Sequence, residues 1–212
     1  MNIIILLGSN LGDRLANLKQ AYIAYSVSDR IKLSAGKWAT HVGYELLDAP
    51  LNRNYSMSYG FSYGPFFHTG VKAEYALSGK SSFMIGIANP TDYVTTASAS
   101  KVVIAQFSTK LFEDKTTIYA NYQGGNTGGS TSFSQFDVVI NNTLSSQFAI
   151  NYDGTIYSAK DGASANWKSN AVYVNYDPSS AIGFTLRSEI FDDKNALSAG
   201  AFGTSIFANT LS

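Results

Sequence analysis

The chain has 212 residues, no cysteine, and 14% charged side chains, which is about half of the share that soluble domains usually carry. Fifteen basic and fifteen acidic residues give zero net charge, which excludes the basic surface expected of a general nucleic-acid-binding protein. No run of about 18 apolar residues occurs, which excludes a helical membrane protein, and two histidines without cysteine offer little from which to build a metal site.

The first segments of the chain give two different signals. Ile3–Leu7 is a short apolar run that we interpret as a partial strand. The next segment, GSNLGDR at Gly8–Arg14, resembles the amino-terminal signature of the folate-pathway pterin pyrophosphokinases. That enzyme would need an α+β fold and a paired-aspartate magnesium site, whereas the following segments are patterned as strands. A turn at these glycines is the preferred interpretation, and the kinase is kept as a remote alternative.

From Val71 onward, apolar and polar residues alternate with a period of two, which predicts strands with one apolar face. After Asp114, for example, Ile118 and Tyr122 lie on the apolar face and Asn121 lies on the polar face. Segments of the same kind cover residues 101–111, 135–141, 147–153, 169–177 and 181–191. The longer ones match the roughly 9–11 residues that a tilted strand needs to cross a bilayer.

The connections between these segments alternate in length. Tight turns are predicted at Ser28–Arg30, Ser78–Lys80, Glu113–Asp114, Thr143–Ser145 and Pro178–Ser180. Longer polar loops are predicted at Glu45–Phe66, Asn89–Ser100, Gly124–Thr131, Ser158–Ala165 and Asp192–Ala196. This alternation is typical of barrels with short periplasmic turns and long extracellular loops, and a Greek-key sandwich would not require it. We therefore predict an all-β, antiparallel, up-and-down transmembrane β-barrel of about 11–12 strands, with residues 1–212 as a single domain.

The two faces of such a barrel meet different surroundings. Tyr25, Tyr75 and Tyr176 precede short turns on the apolar face, where an aromatic girdle at the membrane interface is expected. The charges on the polar faces are Lys72, Glu74, Lys110, Asp137, Asp153, Arg187 and Glu189. Side chains of this kind are expected to line a water-filled lumen. Among them, Lys72, Glu74, Arg187 and Glu189 are the candidate lining charges, and their balanced signs predict weak ion selectivity.

The loop Glu45–Phe66 is the segment where we expect function, because a long loop can fold into a lumen and set the size and field of a pore. The alternative is a surface loop packed on its neighbours. The candidate pore-lining or constriction residues are Glu45, Asp48, Arg53 and Tyr55 of the loop, with Lys72, Glu74, Arg187 and Glu189 of the strands. His41 and His68 flank the loop, but no Gly-x-Ser-x-Gly elbow accompanies them, so we interpret them as structural or pore-lining rather than catalytic.

Five segments between residues 19 and 93 carry a more specific pattern. They are KQAYIAYSVSD (Lys19–Asp29), AGKWATHVGYE (Ala35–Glu45), LNRNYSMSY (Leu51–Tyr59), YGPFFHTGVKA (Tyr63–Ala73) and GIANPTDY (Gly86–Tyr93). These segments resemble the OmpL-like β-barrel porin family of Gram-negative outer membranes, whereas the remaining residues fit as general barrel strands. The resemblance implies an outer-membrane diffusion pore without catalytic residues and without a cofactor.

The sequence thus predicts a passive porin for small hydrophilic solutes, which contacts outer-membrane lipid and has no nucleic-acid partner. A homo-oligomer is left open. The alternative in a different class is an outer-membrane receptor or adhesin that binds through its extracellular loops. Members of the family are longer and begin with a signal peptide, so the chain is expected to be a truncated part of a larger barrel.

Overall fold

A computed structural model describes residues 3–7, 20–96, 100–128, 130–198 and 200–212. Twelve strands form one antiparallel sheet in chain order, each hydrogen-bonded to the next along the chain. The strands are β1 (Ile3–Leu7), β2 (Ala21–Ser26), β3 (Ile31–Ala39), β4 (Phe67–Ala76), β5 (Ser81–Ala88), β6 (Val102–Leu111), β7 (Thr116–Gly128), β8 (Thr131–Thr143), β9 (Phe148–Asp161), β10 (Ala163–Ser179), β11 (Ile182–Asp192) and β12 (Ser205–Leu211). The all-β, up-and-down architecture is confirmed. Strands β1 and β12 form the two ends of the sheet, and within the described residues they do not pair with each other.

Two short helical segments interrupt the connection between β3 and β4. One is a 3₁₀ turn at Ala49–Leu51, and the other is helix α1 at Tyr59–Ser62. None of the helices in the described ranges has the length and apolar character that crossing a membrane would require.

Side chains alternate between an inner and an outer face of the sheet, as the sequence pattern predicts. On β8, Phe136 and Val138 point outward with 59% and 38% of their surface exposed, whereas Gln135 and Asp137 are buried on the inner face. Asp137 pairs in register with Asn121 of β7 and Thr155 of β9. Since register fixes which side chains share a face, these three polar residues form a row across the inner face.

The predicted tight turns are present, and the aromatic residues beside them lie on the outer face. Tyr25, Tyr75 and Tyr176 are all among the exposed large side chains, and Tyr176 stacks on Phe148 with ring centroids 4.6 Å apart. An exposed aromatic at the end of an apolar face is typical of the interface region of a membrane barrel.

Two of the predicted long loops are wrong. Strands β7 and β8 continue through most of Gly124–Thr131, and β9 and β10 continue through Ser158–Ala165, where Gly162 alone connects them. Lys160 pairs in register with Ser132 on one side and with Ser164 on the other. Backbone pairing does not depend on side-chain polarity, so a stretch of small and polar residues can continue a hairpin beyond the apolar part of the sheet. By contrast, the connection after β11 is longer than expected and covers residues 193–204.

The inner face is not polar along its whole length. Near the end where the long loops emerge, Trp38, Met84, Val102, Ile104 and Phe133 form a buried apolar cluster. A row of aromatic rings continues from it across β8 to β11, namely Phe133, Tyr157, Trp167 and Phe191, with neighbouring ring centroids 5.3–5.5 Å apart. The inner face is therefore apolar at this end, where its side chains pack against one another and, through Tyr59, against α1.

Candidate functional site

The loop of residues 40–66, between β3 and β4, crosses the inner face of the sheet. Three strands, β7, β8 and β9, hold the first part of this loop through hydrogen bonds. The His41 ring makes a hydrogen bond through Nε2 to the Tyr122 carbonyl oxygen at 3.1 Å. The backbone N–H of Gly43 donates to Asp137 at 3.0 Å, and that of Tyr44 donates to Asp153 at 2.9 Å. Inner-face carboxylates of β8 and β9 thus satisfy backbone groups of the loop.

A buried ion-pair cluster joins the middle of the loop to β11. Arg187 Nη1 lies 2.8 Å from Glu45 Oε1, and Arg187 Nε lies 3.1 Å from Glu189 Oε1. The exposed fraction of each of these side chains is 3% or less. Tyr173 of β10 also donates its hydroxyl to Glu45, at 3.2 Å. Buried charges are costly unless they are paired and hydrogen-bonded, and here the two carboxylates share one guanidinium.

The same carboxylates fix the start of helix α1. The backbone N–H of Ser58 donates to Glu45 Oε2 and that of Tyr59 donates to Glu189 Oε2, both at 2.7 Å. Ser58 is the N-cap, because its hydroxyl accepts from the Phe61 N–H at 3.2 Å. Gly60 lies so close to β10 that a Cβ atom there would collide with the Ser169 hydroxyl. The helix can therefore approach the sheet only with glycine at this position.

Arg53 holds the part of the loop that lies nearest to the short turns of the sheet. Its guanidinium contacts Asp177 at 2.5 Å and donates from Nε to the Thr185 hydroxyl at 2.8 Å. The neighbouring Asn54 donates to the Ser212 hydroxyl at 3.2 Å. The loop therefore extends from the long-loop end of the sheet nearly to the short-turn end.

The remaining predicted residues lie apart from this cluster. Glu74 pairs with Lys32 at 2.5 Å and with Lys72 at 3.4 Å, on the inner face of β3 and β4. Asp48 is half-buried and precedes the 3₁₀ turn, and Tyr55 is 82% exposed. The structure thus brings Glu45, Arg187 and Glu189 together. The other five candidates lie elsewhere, three of them in the loop and two on β4.

Two histidines meet where the loop leaves β3. The His41 and His68 rings are 5.0 Å apart, and the Nδ1 atom of each is buried without a hydrogen-bond partner in the described part of the chain. His68 Nε2 contacts the Thr40 hydroxyl at 3.3 Å. Burial lowers the pKa of His41 to about 4, and the nearby Lys72 charge also lowers it. His41 is therefore neutral at neutral pH.

Sequence reasoning placed Asp137 and Asp153 on the inner face but did not include them among the constriction candidates. It also missed Tyr44 and Tyr173, whose rings are 4.4 Å apart. The alternating pattern was the available signal for the two aspartates. No sequence signal indicates that their partners are backbone N–H groups of a loop about a hundred residues earlier in the chain. Among the described residues, no group of three or more His, Asp or Glu side chains is arranged to hold a metal ion.

Comparison with known proteins extends the resemblance over almost the whole chain. A family model described as "Putative beta-barrel porin-2, OmpL-like" matches residues 4–212. The match includes Gly8–Arg14, which lie outside the described residues, so the kinase-like interpretation of that segment is not supported. No match was found among curated proteins or among solved structures.

Proposed function

The chain belongs to the OmpL-like family of β-barrel porins, and on that basis we propose that it forms an outer-membrane pore for passive diffusion of small hydrophilic solutes. Membership of a porin family implies an outer-membrane location and a non-enzymatic role. The observation that supports the pore most directly is the loop 40–66, which lies across the inner face and is held there by the Glu45–Arg187–Glu189 cluster.

The outer face supports a lipid environment. Ile23, Leu33, Val71 and Ile85 belong to the four neighbouring strands β2 to β5 and are each about half exposed. A contiguous exposed apolar surface of this kind is costly in water but is matched to the hydrocarbon core of a bilayer.

The loop would act as the constriction of the pore. Porins are selective through the size of the opening and the charges that face it. In the described residues, carboxylates around the loop outnumber guanidinium groups. The guanidinium groups belong to Arg53 and Arg187, whereas the carboxylates that contact loop atoms or Arg187 belong to Glu45, Asp92, Asp137, Asp153, Asp177 and Glu189. The balanced charges of Lys72, Glu74, Arg187 and Glu189 alone would give weak ion selectivity. Because carboxylates predominate around the loop, we propose instead that the pore prefers cations over anions.

The full chain, refolded in detergent and inserted in a planar lipid bilayer, tests this function. We expect stepwise single-channel conductance in potassium chloride, with a reversal potential in a salt gradient that indicates cation preference. A folded, inserted chain that never conducts would contradict the pore. A reversal potential of the anion-selective sign would contradict the charge argument alone.

One observation favours a second candidate, a receptor or adhesin. The β9–β10 hairpin continues to Gly162 with exposed polar residues, and such a projection could present a binding surface on the long-loop side. Adhesion of vesicles carrying the chain to host surfaces, without any conductance, would favour this role over the pore.

A further inference from the structure

A cavity lies between the first part of the loop and the inner faces of β6, β7 and β8. Its volume is about 270 Å³, and its walls include Tyr44, Gln106, Tyr119, Asn121 and Asn141. Pockets for drug-sized ligands measure roughly 300–1,000 Å³, so this cavity suits a smaller molecule.

The carboxylates beside the cavity already have partners. Asp137 Oδ1 accepts from the Gly43 N–H at 3.0 Å and from the Asn121 amide at 2.5 Å, and Oδ2 accepts from the Thr155 hydroxyl at 2.8 Å. Glu45 is paired with Arg187 on one oxygen and with the Ser58 N–H on the other. These carboxylates leave a negative field that disfavours an anion, while their hydrogen-bonding positions are occupied.

Uncharged groups remain for recognition. The Asn141 amide oxygen is buried without a hydrogen-bond partner in the part of the chain that the structure describes. Asn121 and Gln106 line the same cavity and are joined by a 2.8 Å hydrogen bond between their amides. A buried acceptor without a partner is destabilising, and a donor supplied by a ligand would relieve that cost once the Asn141 amide turns towards the cavity.

Two tyrosine rings complete the cavity. Tyr44 is held in place by the Asn151 amide, which donates to its hydroxyl at 3.0 Å, and by its contact with the Tyr173 ring. Tyr119 of β7 lines the same cavity. Tyrosine offers an apolar ring together with a polar hydroxyl, which suits a ligand that carries both C–H faces and hydroxyl groups.

From this combination we propose that the cavity is a binding site for a neutral, polyhydroxylated solute of monosaccharide size. Hydroxyl groups would donate to the Asn141 oxygen and exchange hydrogen bonds with the neighbouring amides, and the tyrosines would contact the C–H faces. The inference rests on the proposed pore function, because a weak site beside the constriction would select among the solutes that pass.

Calorimetric titration of the refolded full chain with D-glucose tests the site, with D-glucuronate as the charged counterpart of similar size. We expect saturable glucose binding and at least tenfold weaker glucuronate binding. Asn141→Ala should weaken glucose binding by about tenfold. The matched control is Asn142→Ala, because Asn142 follows in the chain, lies on the opposite face and bonds to Thr116 instead.

Equal binding of the two sugars, or no saturable glucose binding by a chain that folds and conducts, would overturn the inference. An Asn142→Ala variant that loses glucose binding as fully as Asn141→Ala would overturn the assignment to this cavity. Measuring bilayer conductance distinguishes a failure of this binding site from a failure of the proposed pore. Glucose binding by a folded chain that never conducts would support the site and contradict the pore.

Discussion

Arg187 of β11 donates to the carboxylate of Glu45 over 2.8 Å, which joins the wall of the sheet to a loop residue 142 positions earlier in the chain. Both side chains are almost completely buried. Because a buried charge without a partner is strongly destabilising, the position of the loop depends on this single arginine of β11.

Removing that partner should release the loop. In Arg187→Met, Glu45 and Glu189 would remain buried without their shared cation, at a cost of about 3–5 kcal/mol. We expect a larger and noisier single-channel conductance, because moving the loop away from the wall relieves this cost. The control is Lys80→Met, which removes one side of the exposed Lys80–Asp114 pair at 4.0 Å and should leave the conductance unchanged. A normal conductance in Arg187→Met would contradict the role of the pair.

Helix α1 offers a test by packing rather than by charge. Gly60→Val would place side-chain atoms against Ser169, and we expect a cost of about 1–3 kcal/mol in docking the helix on β10. Protease cleavage within residues 40–66 should become faster. Gly79→Val is the matched control, since nothing lies within 4 Å of a Cβ atom at that turn. Equal protection of the two variants would show that α1 does not need this close approach.

The face assignment can be tested by inserting charge. Val138→Arg or Phe184→Arg on the outer face should cost roughly 2–4 kcal/mol if the position lies near the bilayer midplane. Unfolding by urea in lipid vesicles measures this cost. Ser108→Arg is the control, because Ser108 lies on the inner face of β6 and is only half-buried. Similar costs on both faces would contradict the assignment.

The neutral His41 predicts a pH dependence. Its pKa in the folded chain is about 4 because of burial, whereas an unperturbed histidine titrates near 6.5. Between these values the released loop binds a proton more readily than the docked loop does. Docking should therefore weaken as the pH falls from about 6.5 towards 4, and conductance should rise.

His41→Gln should reduce this dependence on the acid side, and the His68 ring, which lies 5.0 Å from the His41 ring, is retained in that variant. Burial raises the pKa of Asp92, in the next long loop, so that group opposes the effect of His41 and should be neutralised in parallel as Asp92→Asn. A conductance that stays constant down to pH 4 in both the original chain and the Asp92→Asn variant would contradict the proposed role of His41.

Much of the fold was predictable because a strand with one face in lipid must alternate, and lipid excludes charge from that face. The same argument placed Arg187, Glu189, Asp137 and Asp153 on the inner face correctly. It could not predict that β9 and β10 continue through residues 158–165, a stretch of small and polar residues, because backbone hydrogen bonds hold that hairpin whatever its side chains are. Nor could it predict the contacts of Glu45, since a partner 142 residues away is determined by how the loop folds across the sheet.

The central claim is that residues 40–66 form the constriction of a pore. The most direct test is the single-channel conductance of a variant in which residues 46–57 are replaced by a short Gly-Ser linker, compared with the full chain. Glu45 and α1 remain in this variant, and far-UV circular dichroism would verify that the sheet is retained. We predict a conductance several times larger and a weaker preference for cations. An unchanged conductance and ion preference in the folded variant would contradict the claim.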